Sequence, residues 1–369
     1  MAGGRKSEIA EGMRDAYREL YKAYGGIITQ EKANGIAAWY GKVYSASRGE
    51  IPLSSVALVT SNIYGDLILA ERYYALPMQK FIGYAAEADA VAAKAKENYR
   101  LYTELGNDYD AKRNAYIYHL YLGRSIGEFA YTEGYDAFAD YQFSIVLTLF
   151  LCLYGIVHVF IPEKETQMGL LLLTTTNGGK RLAWAKIVAA TAYIAGVTLW
   201  FYLLDAGSFT LVYGTIGGGS LPLYALKSFD SAAVNWSVFQ YAAVAGLYRL
   251  LGMWSFCMIL LLLTEFFHNA LVPFIGSIIV IAAIVLLGSF FAYSSHVWLK
   301  ILNPYSMLRG SVLFSQTDFI NVFDVPIPGY QAAPVAAAAV GLAAVALIFL
   351  CEKRNIYFKK GGRHANLSL

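Results

Sequence analysis

Residues 143–161 read FSIVLTLFLCLYGIVHVFI and residues 187–204 read IVAATAYIAGVTLWFYLL. Between them lies Glu163-Lys-Glu-Thr-Gln-Met-Gly169-Leu-Leu-Leu-Leu173-Thr-Thr175-Thr-Asn-Gly-Gly179-Lys180-Arg181-Leu-Ala-Trp-Ala-Lys186. The flanking runs carry no charge, and crossing a hydrocarbon core of ~30 Å takes about 20 helical residues. The middle segment places carboxylates first, then a glycine-interrupted Leu/Thr run, a Gly-Gly turn and finally basic residues. It reads as a polar, amphipathic insert between two membrane spans, placed to contact something at the membrane surface.

The rest of the chain supports a membrane reading. It is 57% hydrophobic and 15% charged, with a mean hydropathy of +0.45, too apolar for a soluble domain of this length. Uncharged runs recur at Ala270 to Tyr293 and Pro334 to Cys351, and Val234 to Thr264 is interrupted only by Arg249. These predict an all-α polytopic protein with spans near 143–161, 187–204, 243–264, 270–293 and 334–351. Pro273 and Pro334 fit the first turns of two of them, where a missing N–H costs little. Trp184, Trp200 and Trp298 mark the span ends, as interfacial aromatics do.

Short-loop charge sets the expected orientation. The insert carries Lys164, Lys180, Arg181 and Lys186, and the tail 353–369 carries Lys353, Arg354, Lys359, Lys360 and Arg363. The connections 205–233 and 294–333 hold only Lys227, Lys300 and Arg309. Insert and C-terminus are therefore expected in the cytoplasm, and residues 1–140 outside it. That N-terminal region holds 17 of the 29 tyrosines, often at helical spacing, as in Met13, Tyr17, Leu20, Tyr21 and Tyr24. It predicts long amphipathic helices whose tyrosine rings pack while their hydroxyls stay wet. The run Ile51 to Ala70 is broken by Ser54, Ser55, Ser61, Asn62 and Asp66 and is rejected as a span. No apolar stretch of signal-peptide type follows Met1. Cys152, Cys257 and Cys351 all fall in or beside spans, which excludes a disulfide framework in the N-terminal region.

Residues 163–186 resemble the coupling-helix region of permease subunits of type-2 ABC transporters, exporters with a helical extracytoplasmic domain. Leu302-Asn303-Pro304 and Pro326-Ile-Pro328-Gly329 resemble the segment before the last span of such permeases, and Tyr21 to Lys32 resembles the start of their outer domain. Together the likeness covers most of 139–360. It implies a cell-membrane dimer, with a second or related permease copy, working with a separate ABC ATP-binding subunit. It also implies a sixth, N-terminal span preceding this chain, with a five-span form as the alternative. Glu163, Glu165, Met168, Gly169, Leu172, Gly179, Lys180, Arg181 and Lys186 become the expected ATPase-coupling residues. Glu163 and Glu165 suit a helix N-terminus, Leu171 joins Met168 and Leu172 on a docking side, and Lys180, Arg181 and Lys186 suit an anionic leaflet. Family members often have Pro before the turn, where this chain has Thr176-Asn177. The bland alternative is an ordinary amphipathic loop.

No cofactor is expected on this chain. A P-loop needs Gly-x4-Gly-Lys-Ser/Thr, and around Gly179-Lys180 positions 174 and 181 are Thr and Arg, so ATP belongs on the partner. No nucleic-acid motif, catalytic constellation or metal-ligand spacing is present, so the chain is not expected to be an enzyme. Arg249 and Glu265 are weak candidates for a transport path. Arg249 is expected first to snorkel from a span beginning near Ala243, with pairing to an acid or facing a substrate path as the alternatives. Glu265 with His268 is expected to end a helix, with metal binding or proton relay as the alternative. His158 is read as a satisfied core histidine, and Asp205 and Asp324 as loop residues. The expected cargo is a peptide, antibiotic, lipid-linked compound or ion moving outward. The alternatives are a membrane-anchored sensor or scaffold whose N-terminal domain binds a partner, and a transporter driven by an ion gradient.

Overall fold

The computed structural model describes residues 15–16, 21–60, 62–130, 132–166, 168, 180–213, 218–267, 269, 271–291 and 296–365. Two compact units emerge. The first runs to Glu133 and also takes in Thr215–Leu226 and Asn235–Val238; the second holds Gly134–Gly214, Lys227–Val234 and the rest of the chain from Phe239.

In the first unit β1 (Gly26–Ile27) leads to α1 (Gln30–Ser47), α2 (Ile63–Ile68), a π-helical turn at Leu69–Ala75, α3 (Leu76–Glu104), α4 (Asp108–Tyr121) and β2 (Glu128–Phe129). Thr29 caps α1 by accepting from Lys32 N at 3.3 Å, and Asn62 caps α2 by accepting from Gly65 N at 2.8 Å. Pro77 explains the widened turn before α3, because it lacks the N–H that would bond four residues back and its ring crowds that carbonyl. Met78, Phe81, Tyr84, Ala88, Ala92 and Ala95 make one buried stripe along α3, and its alanines let α4 pack close. Gly106, at φ 70°, turns the chain, and Asn107 accepts from Asp110 N at 3.1 Å to start α4. β1 pairs antiparallel with β2, bringing Gly26 beside Phe129 and Ile27 beside Glu128.

The expectation of wet tyrosine hydroxyls fails at Tyr74 and at Tyr84, which is 5% exposed with Arg124 Nη1 3.5 Å from its hydroxyl. Tyr74 is wholly buried against Tyr24, Trp39 and Phe129, so it does not keep a wet hydroxyl. Met13, Tyr17 and Leu20 lie outside the described residues. Asp66, which broke the rejected span, is also wholly buried, and its carboxylate accepts from Val59 N at 2.8 Å, from Thr60 N at 2.6 Å and from the Thr60 hydroxyl.

The second unit contains α5 (Glu133–Asp140), α6 (Phe143–Val157), α7 (Ile161–Glu165), α8 (Lys180–Tyr213), α9 (Val238–Glu265), α10 (Leu271–Phe291), α11 (Val297–Leu302), α12 (Pro304–Arg309), α13 (Ser311–Phe314), β3 (Phe319–Val322), β4 (Val325–Pro328) and α14 (Gly329–Ala365). Among the described residues five helical segments are long and apolar enough to cross a membrane: Glu133–Glu163, Lys180–Tyr213, Val238–Glu265, Leu271–Phe291 and Gly329–Cys351. They agree in number and place with the expected spans and are compatible with a multi-pass membrane protein. Ile145, Leu149, Cys152 and Ile156 line the inner side of α6 and meet Met253, Phe256, Cys257 and Leu260 of α9 in one core. Gly155 and Gly341 permit the closest approaches, since a Cβ at either would overlap the ring of Tyr193 or Trp254.

Several local expectations change. Pro334 is in the interior of α14, because that helix starts at Gly329. Its missing N–H would have bonded the carbonyl of Tyr330, and the Tyr248 hydroxyl donates to that carbonyl instead, at 2.5 Å. The prolines of 326–328 form a β-hairpin, a small exception to an all-α fold. With Phe323 and Asp324 at φ 50° and 60° as a two-residue turn, Val322 and Val325 form the hydrogen-bonded pair. Pro326 and Pro328 then fall at non-hydrogen-bonded positions, where no N–H is needed. His158 is an exposed C-cap, not a core residue, with Nδ1 3.0 Å from the Tyr154 carbonyl.

Candidate functional site

The insert is closed at its neck. Glu163 belongs to α7 and Lys186 to the second turn of α8, and Lys186 Nζ lies 2.6 Å from Glu163 Oε2. The contact is an ion pair without hydrogen-bond alignment, and the ammonium also lies 4.5 Å from the Phe160 ring centroid. Lys186 therefore has a carboxylate partner, which replaces the leaflet contact expected for it. Pro162 accepts from the Thr166 hydroxyl at 2.6 Å. Beyond that point Glu165, Met168, Lys180 and Arg181 are exposed. Gly169, Leu171, Leu172, Thr176, Asn177 and Gly179 lie outside the described residues. What the structure brings together from the expected coupling set is the pair Glu163 and Lys186.

A second charged pair is buried where the sequence suggested a snorkelling arginine and a loop aspartate. α8 continues through Asp205, and α9 begins at Val238, well before Arg249. Arg249 Nη1 meets Asp205 Oδ2 at 3.0 Å, with 7% and 8% of the two residues exposed. The Ser144 hydroxyl donates to the same carboxylate oxygen. Ser144 is in the first turn of α6, whose positive dipole end favours an adjacent anion. Tyr202, three residues before Asp205 and so on the same helical face, puts its ring centroid 5.1 Å from the Arg249 guanidinium carbon. Its hydroxyl donates to the Ala242 carbonyl at 2.5 Å. Charge, dipole and ring together offset the desolvation that would make either ion costly alone.

Helix geometry separates the two pairs. At 1.5 Å per residue, Asp205 is roughly 28 Å along α8 from Lys186, and Arg249 is roughly 24 Å along α9 from Glu265. The buried pair is thus far along the helices from the insert's neck. Glu265 is nearly buried at the end of α9, apart from Arg249. His268 lies outside the described residues. Lys300, counted above as a loop charge, is also buried and pairs with Asp318 at 2.8 Å. Its charge is neutralised within the fold, so it carries less weight in a count of loop charges.

In the first unit Arg124 organises a tyrosine cluster. It is 3% exposed, and its Nε donates to the Leu120 carbonyl at 3.0 Å and to Asn235 Oδ1 at 2.8 Å. The guanidinium lies 4.2 Å from the Tyr121 ring centroid and 4.8 Å from that of Tyr224. Tyr224 in turn stacks on Tyr84 at 4.9 Å, and its hydroxyl donates to the Ser125 carbonyl at 3.1 Å. Burial pushes the Tyr84 phenol up to about 12, against the opposing pull of Arg124. These rings build the unit's interior, the packing role expected of its tyrosines.

Sequence reasoning had half of the buried membrane pair, because one Arg in an apolar run is conspicuous. It missed Ser144, Tyr202 and Asp205. The available signal was Tyr202-Leu-Leu-Asp205, an aromatic and an acid on one face where α8 was expected to end. Comparison with known protein families, curated proteins and solved structures finds no match for this chain.

Proposed function

We propose that this chain is the membrane permease subunit of an ATP-driven transporter, energised by a separate ATP-binding subunit that presses on residues 163–186. The observation that carries the reading is the Glu163–Lys186 pair, which ties both ends of a polar insert to two apolar helices. A force applied to such an insert reaches α6 and α8 together instead of being lost in a slack loop. The resemblance of 163–186 to a coupling helix supplies the partner and the dimer. Positive-inside charge supplies the orientation, with the insert cytoplasmic and the first unit outside, and the family resemblance supplies export as the direction of transport. ATP is held by the partner.

The test is purification of the tagged full-length chain from native membranes in mild detergent, followed by ATPase assay of the reconstituted complex. The reading expects a co-purifying ATP-binding subunit whose hydrolysis responds to this chain. Lys186→Glu should uncouple it, and the exchange Glu163→Lys with Lys186→Glu should restore coupling. A folded, membrane-inserted chain that never carries an ATPase with it sinks the proposal. The buried Asp205 favours a second reading, a carrier driven by an ion gradient, since acids inside membrane helices often relay protons. Transport abolished by a protonophore at constant ATP would select that reading. The sensor or scaffold alternative predicts partner capture by the first unit without transport.

A further inference from the structure

Beside the buried pair, a small cleft is lined by Phe138, Tyr202, Tyr241, Arg249, Leu308 and Arg309. Its volume is about 10 Å³, room for roughly one water-sized group. Arg249 brings a guanidinium already neutralised by Asp205. Arg309, the last residue of α12, has no carboxylate at ion-pair distance among the described residues, and its Nε is buried without a hydrogen-bond partner. Tyr241 is 3% exposed, and its ring is clamped by Phe229 at 4.9 Å and Phe314 at 5.5 Å. Among the described residues its hydroxyl makes no hydrogen bond. Asp140, which acts electrostatically on Tyr241, is exposed and accepts from the Ser228 hydroxyl at 3.2 Å, and Asp136 accepts from the Ser228 N–H at 3.3 Å.

We infer that this cleft binds the oxyanion of a phosphate-bearing ligand, Arg309 supplying the countercharge and Tyr241 a fixed donor. An uncompensated, partly buried guanidinium is costly, and a bound anion removes that cost. Two guanidiniums and a phenol present more donors than a carboxylate's two oxygens need, and guanidinium geometry suits phosphate. The small volume seats one phosphate oxygen and leaves the remainder of the ligand outside. Arg249 is roughly 24 Å along α9 from Glu265. With Glu265 at one face of a ~30 Å hydrocarbon core, the cleft falls about one helical turn from the opposite headgroup zone. Phospholipid headgroups and free phosphate share this chemistry. The site is independent of the ATPase reading.

The test uses the full-length protein in detergent micelles, with dihexanoyl phosphatidic acid, dihexanoylglycerol and inorganic phosphate as probes. Saturable binding of phosphatidic acid, but not of dihexanoylglycerol, is expected. Arg309→Gln should weaken binding about tenfold or more, and Tyr241→Phe several-fold. Displacement of the lipid by millimolar phosphate identifies a general phosphate site, and failure of phosphate to displace it identifies a lipid headgroup site. Should Arg309→Gln misfold, Tyr241→Phe, which removes one hydroxyl, carries the test. The inference is overturned if neither phosphate probe binds, if dihexanoylglycerol binds equally well, or if the folded variants bind like the wild type.

Discussion

Removing one half of the Asp205–Arg249 pair strands the other half as a buried charge. Asp205→Ala is therefore expected to cost roughly 3–5 kcal/mol, because the Ser144 hydroxyl and the Tyr202 ring cannot neutralise Arg249 alone. Asp205→Leu combined with Arg249→Met should cost much less than the single change, as apolar replacements of buried pairs often do. A double-mutant cycle on unfolding in micelles reads the coupling, and additive losses would mean that the two charges do not interact. Tyr84 supplies a pH-dependent prediction. Its phenol is raised from 10.0 to about 12, so the folded state holds that proton more tightly than the unfolded chain. The associated stability is fully present below pH 10 and is lost as pH rises from 10 towards 12. Tyrosinate absorbance followed with helicity should show a late-titrating class whose ionisation coincides with loss of helix. Ionisation of every tyrosine near pH 10 with helicity intact would contradict this. Arg249 was conspicuous in sequence as a lone charge in an apolar run. Asp205 was not, because it follows the last apolar residue of a span whose helix continues past it.

At the scale of elements, α14 depends on a tyrosine from another helix. Pro334 deprives the Tyr330 carbonyl of its usual donor, and the Tyr248 hydroxyl of α9 takes that place. Tyr248→Phe should destabilise the protein by about 1–3 kcal/mol through an unsatisfied buried carbonyl. Pro334→Ala returns a backbone N–H and should make the Tyr248→Phe change nearly silent, which thermal unfolding of the four variants would reveal. An equal cost of Tyr248→Phe in both backgrounds would mean that the hydroxyl does not serve that carbonyl. The same segment shows what element-level pattern can and cannot supply. Periodicity and apolar length reveal α14 as a membrane-length helix, but its start at Gly329 follows from the hairpin before it. In sequence that hairpin reads only as part of the 294–333 connection, whereas the alternate placement of its two prolines fits a two-stranded ladder.

For the whole molecule, the five apolar helices divide into inner and outer sets. The windows of Glu133–Glu163 and Val238–Glu265 are 56% buried, against 22–28% for the other three. A membrane-soluble carbene reagent should therefore label Leu203, Leu286 and Leu350 well ahead of Leu149 and Leu260, as mass spectrometry of the labelled peptides would report. Equal labelling of both sets would reject the inner assignment of α6 and α9. The sequence alone determined the number and approximate place of the membrane-length helices, because about 20 consecutive apolar residues are a local property of the chain. It also predicted helices in the N-terminal region, which the structure forms at Gln30–Ser47, Leu76–Glu104 and Asp108–Tyr121. Only the tertiary structure decided which apolar helices are central, that Glu163 closes on Lys186, and that Asp205 meets Arg249. The last pair lies 44 positions apart on different helices. No periodicity encodes such a meeting; it follows from how helices pack and from the cost of leaving either ion alone in an apolar interior.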